Sequence, residues 1–76
     1  MARLNFEQDL IMKYEYFNSN DFFNDIKVYE LKLDILEACN KAEEYIKKSS
    51  NLVKIEIWRK VTPEIAIKEF TFVKED

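Results

Sequence analysis

The sequence predicts an α+β fold of order ββαββ, with a single amphipathic helix packed on one face of a four-stranded sheet. Three observations carry this. Two alternating apolar-polar runs flank the turn-forming "NSND"; a stripe at helical spacing occupies the middle of the chain; two more alternating runs flank "VTPE". A β-grasp-like strand order, with the two terminal strands central, is the preferred arrangement, and a simple meander is the alternative.

The first strand is read in "LIMKYEYF", residues 10–17, where Leu10, Met12, Tyr14 and Tyr16 point one way and Lys13 and Glu15 the other. Residues 18–21 have short polar side chains that compete for their own backbone and favour a turn. The connection to the second strand runs through residues 18–25. That strand is "IKVYELKL", residues 26–33, with room for a bulge near Lys27.

Residues 34–50 carry the helix. Asp34 followed by Glu37 is an N-terminal capping pattern. Ile35, Ala38, Cys39, Ala42, Tyr45 and Ile46 share one face. Glu37–Lys41, Glu43–Lys47 and Glu44–Lys48 are favourable four-apart pairs on the other. The third strand spans 52–60, with Val53, Ile55 and Ile57 on its core side. A Pro-containing turn at 61–64 leads into the last strand, 65–74.

Composition narrows the functional classes. The chain has 76 residues, 47% of them hydrophobic, which suits one domain spanning 1–76 with a small core. It contains no glycine, so no glycine-rich phosphate loop, and no histidine, the commonest general base and metal ligand. The lone Cys39 cannot form an internal disulfide and is read as a small core residue. The fifteen acids sit mostly beside lysines on solvated faces, so no carboxylate pair stands out as catalytic. Asp21, Asn24 and Asp25 lack the ligand number and the glycine of a calcium loop. The expectation is therefore a non-enzymatic protein with no metal and no cofactor. With no apolar leader and no run long enough to cross a bilayer, it is expected in the cytoplasm, away from membranes. Its Lys-, Ile- and Asn-rich bias fits an AT-rich genome, in keeping with a phage- or mobile-element-encoded inhibitor or regulator.

The candidate binding residues lie on the sheet face away from the helix. Straight alternation turns Ile65, Ile67, Thr71 and Val73 inward. It leaves Trp58, Phe70 and Phe72 exposed among Lys54, Lys60 and Lys68, and Arg59 is assigned with Lys60 and Lys68 to the rim. A bulge near Lys68–Glu69 would instead turn both phenylalanines into the core. An aromatic patch with a polar rim fits a protein partner, including a second copy of this chain to form a homodimer. Single-stranded nucleic acid stacking on the rings is the alternative. In "NDFFND" one of Phe22 and Phe23 is expected to plug the core and the other to be a second contact.

Overall fold

The computed structural model describes residues 7–18, 20 and 23–74. The elements are β1 (Glu7–Tyr16), β2 (Asp25–Asp34), α1 (Ile35–Lys48), β3 (Leu52–Lys60) and β4 (Ala66–Val73). They form an α+β fold of order ββαββ, as the alternation and the helical stripe predict. All strand pairs are antiparallel, and the sheet order is β2-β1-β3-β4.

This order corrects the β-grasp-like expectation, which places the last strand in the centre. Here β3 takes that position and β4 lies at the edge. The physical reason lies in the side chains. β3 supplies Leu52, Ile55 and Ile57, all essentially inaccessible to solvent, whereas β4 supplies no fully buried residue. The strand with the most burial to gain sits where neighbours and helix cover it.

The core is made from the two central strands and the helix: Leu10 and Met12 from β1, Leu52, Ile55 and Ile57 from β3, and Ala38, Ala42 and Ile46 from α1. Leu31 and Leu33 of β2 and Phe72 of β4 pack around it. Asp34 occupies the helix N-cap position, but its side chain makes no capping hydrogen bond. Of the three four-apart pairs, Glu44–Lys48 closes at 2.5 Å. The turns follow the expected chemistry. Asn20 N–H donates to Asn18 Oδ1, and Asn18 Nδ2 to Asp25 Oδ2, both at 3.0 Å. Thr62 Oγ1 accepts from the amides of Glu64 and Ile65.

Two bulges reset the faces. β1 and β2 pair without a break, so none occurs at Lys27. In the β1–β3 ladder Glu15 faces Lys54 and Tyr16 faces Leu52, skipping Val53. Leu52 therefore enters the core in the place expected of Val53. In the β3–β4 ladder Ile57 faces Phe70 and Trp58 faces Lys68, so Glu69 is the extra residue. From that point Phe70 and Phe72 turn to the helix side, opposite Ile57 and Ile55, and Thr71 and Val73 turn away from it.

The bulge makes a specific prediction. Removing Glu69 joins Lys68 to Phe70 and leaves every other β4 residue on its present face. That deletion is expected to cost about 1 kcal/mol, chiefly the exposed ion pair to Arg59. Removing Thr71 instead moves Phe72 off the core and is expected to cost about 1.5–3 kcal/mol. Urea unfolding followed by circular dichroism distinguishes the two, and equal losses would refute the bulge.

Candidate partner-binding face

α1 covers one side of the sheet, and among the described residues no element packs on the other. The open side is built from alternate residues of all four strands. Trp58 sits near its middle, with Ile11 of β1 directly opposite on one flank and Lys68 of β4 on the other. One step along the sheet, Lys13, Glu56 and Thr71 form the next row, and Glu15, Lys54 and Val73 the one after. Val28 and Ile26 extend these rows onto β2, where both are exposed.

Trp58 is held by its neighbours. Its indole N–H donates to Glu56 Oε1 at 3.0 Å, and the Lys13 ammonium lies 4.3 Å from its ring centroid. Lys68 approaches the same ring at 6.0 Å. Such contacts fix the ring's orientation and leave it half-buried. Glu56 is also 3.5 Å from Lys54 and 3.8 Å from Lys68. The hydrogen bond from Trp58, with help from these lysines, holds its carboxyl below the usual carboxylate range. A carboxylate depressed in this way contributes stability above its unfolded pKa, and the contribution fades as pH falls through the folded value.

Two further ion pairs lie on this face. Lys54 lies 3.6 Å from Glu15, and Lys60 lies 3.2 Å from Glu30 of β2. The open face is thus a grid of alternating signs rather than a basic stripe. Its field at a distance is reduced, because Lys54, Lys60 and Lys68 each have a carboxylate within 4 Å.

Trp58, Lys54, Lys60 and Lys68 lie on the face where the alternation puts them. Three other candidates do not. Phe70 and Phe72 are on the helix side because of the Glu69 bulge; Phe72 packs against the core and Phe70 is 41% exposed at its margin. Arg59 also lies on the helix side, opposite Leu10, and binds Glu69 at 2.8 Å. Phe23 is 77% exposed and plugs nothing. Phe22 lies outside the described residues, as does Asp21. Lys13 and Ile11 are the face residues that sequence reading missed. Their alternation on β1 is plain, but only the β1–β3 pairing brings them beside Trp58.

Tyrosines close the end of the core. The Tyr14 ring lies 5.3 Å from Tyr29, 6.2 Å from Tyr45 and 6.4 Å from Tyr16, so all four tyrosines of the chain gather where α1 meets β1 and β2. Shallow grooves of about 420 and 340 Å³ run on either side of Tyr45. Burial, followed by the neighbouring Tyr45, Tyr16 and Tyr29 hydroxyls, pushes the Tyr14 pKa up to about 12. A raised phenol pKa means the neutral form is favoured in the fold. Its stabilising contribution is complete below the unfolded value of about 10 and is lost as pH rises towards 12. Tyr14 is expected to ionise well above the ordinary phenol range in an absorbance titration, and Tyr14→Phe to flatten the alkaline loss of stability.

Cys39 is partly buried beside the core, and burial, then Glu43, push its thiol pKa up, which disfavours the nucleophilic thiolate. Among the described residues no cluster of acids and cysteine is arranged to hold a metal ion, and no helix is long and apolar enough to cross a membrane. Compared with known proteins, the chain matches no family model, no curated protein and no solved structure.

Proposed function

We propose that the protein is a non-catalytic module that binds another protein through its open sheet face and acts by occupying that partner's surface. The observation that supports this reading is the pinned Trp58 beside Ile11, on a face that no described element covers and whose Lys54, Lys60 and Lys68 are each paired with a carboxylate. A half-buried indole beside an aliphatic side chain, within a polar rim, fits the anatomy of an interface centre. Nucleic acid is the weaker fit. Phosphate binding draws its energy from unpaired positive charge, and here Lys54, Lys60 and Lys68 each have a carboxylate within 4 Å.

Paired experiments test it. Immobilised wild-type protein and its Trp58→Ala variant are compared for the proteins they retain, and the wild type is titrated with a single-stranded DNA oligonucleotide at low salt while Trp58 emission is followed. The expected result is a protein retained by the wild type and lost with Trp58→Ala, together with unchanged emission in the titration. Quenching by the oligonucleotide that weakens steeply with salt would replace this reading with nucleic-acid binding. Equal retention by the variant would remove Trp58 from the contact.

A further inference from the structure

The two edges of the sheet are not alike. β4 is interrupted by the Glu69 bulge, a common device that spoils an edge as a template for another strand. β2 has no such protection. It is ten residues long, pairs with β1 without a register shift, contains no proline, and leaves Ile26, Val28 and Tyr29 exposed. Among the described residues nothing pairs with its outer edge. A regular edge of this length offers a row of backbone donors and acceptors to an incoming strand.

We infer that the occupant of this edge is the β2 edge of a second copy, paired antiparallel about a two-fold axis at Leu31. In a continuous sheet, residues directly opposite across the junction must share a face, so the axis passes through a residue. Centring on Leu31 puts Leu31 against its twin and Tyr29 against Leu33 twice, all on the helix side. On the open side it puts Glu30 against Lys32 twice. The neighbouring registers do worse. An axis at Glu30 or Lys32 sets like charges together; one at Tyr29 sets Lys27 against Leu31 and Asp25 against Leu33; one at Val28 sets Asp25 against Leu31. Like charges directly opposite are destabilising, and opposite charges and apolar pairs are favourable. This register gives matched pairs on both faces over residues 29–33 of each copy, and only its outermost pair, Val28 against Asp34, is unmatched.

Within one copy Glu30 already reaches Lys60 at 3.2 Å. Across the junction it would lie between Lys60 and the second copy's Lys32, and a carboxylate can accept from both. The junction leaves Trp58 free, because it lies on β3, two strands in from the β2 edge. The assembly is thus independent of the binding reading above, and it would present two open faces side by side.

Sedimentation of the full chain over a dilution series, combined with charge swaps, tests the inference. Glu30 is 69% exposed in its side chain and Lys32 is also exposed, so neither swap disturbs the core. The wild type is expected to be a dimer that dissociates on dilution. Glu30→Lys alone sets two lysine pairs across the junction, and Lys32→Glu alone sets two glutamate pairs. Each is expected to weaken self-association by about tenfold or more. An equimolar mixture of the two variants restores opposite charges at both positions and is expected to dimerise like the wild type, as is the double variant. A wild type that stays monomeric at every concentration overturns the inference. So does a dimer that ignores the swaps but is broken by Trp58→Ala, which would place self-association on the open face. A mixture no tighter than its components would overturn the Leu31-centred register.

Discussion

Replacing Ile57 with alanine is expected to cost about 2–5 kcal/mol, the range for truncating a large buried aliphatic side chain. Ile57 is fully buried, lies on a central strand, and faces Met12 on one side and Phe70 on the other. A chain of 76 residues has roughly 4–11 kcal/mol of total stability at typical values per residue. The variant should therefore be largely unfolded at physiological temperature, or melt far below the wild type. Its neighbour makes the control. Trp58 points to the opposite face and fills no part of the core, so Trp58→Ala should keep most of the stability. Thermal melting of the pair, followed by far-ultraviolet circular dichroism, checks the claim. A Trp58→Ala loss as large as that of Ile57→Ala would mean that the open face is structurally covered.

The second large effect concerns the seat of the helix. Ala38 and Ala42 are fully buried, and they are the smallest side chains in the core. Their size lets α1 lie close against the sheet. Ala42→Leu adds volume where no space exists, and overpacking of this kind costs about 1–3 kcal/mol. The added bulk has nowhere to go without lifting the helix away from β3, which would also loosen Ile46. Ala42→Ser, similar in size, should cost less, and the difference between the two in urea unfolding isolates volume from polarity. Similar losses would mean that the helix is not closely seated.

The fold was legible in the sequence where one physical signal dominated. The helical stripe over Ile35, Ala38, Cys39, Ala42 and Ile46 and the period-two runs located each element within a few residues. Strand order was not legible. Alternation marks a strand but does not say which neighbour it pairs with, and the greater burial of β3 over β4 emerged only in the assembled sheet. The faces were legible in part. Trp58, Lys54, Lys60 and Lys68 obeyed simple alternation back from Ile57 or through the hairpin. Phe70, Phe72 and Val53 did not, because a single extra residue inverts everything beyond it. Arg59, assigned to the rim, lies on the helix side because adjacent strand residues face opposite ways. The tyrosine cluster was hidden for another reason. Tyr14, Tyr16, Tyr29 and Tyr45 come from three separate elements, and nothing local to any of them signals the others.

The central seam between β1 and β3 also bears on how the chain reaches its native state. The β1–β2 and β3–β4 ladders join stretches that follow one another directly, so each hairpin closes a short loop. The seam is different: it joins Met12 to Ile57 across β2 and the whole of α1. Contacts between distant parts of a chain carry the larger loop-closure entropy and slow folding. The two hairpins are therefore expected to form early and reversibly, with docking along the seam setting the rate. The residues that complete the core, Leu10, Met12, Ile55 and Ile57, lie along that seam. Commitment to the fold and burial of its interior are thus one event, and neither hairpin holds a finished core before it.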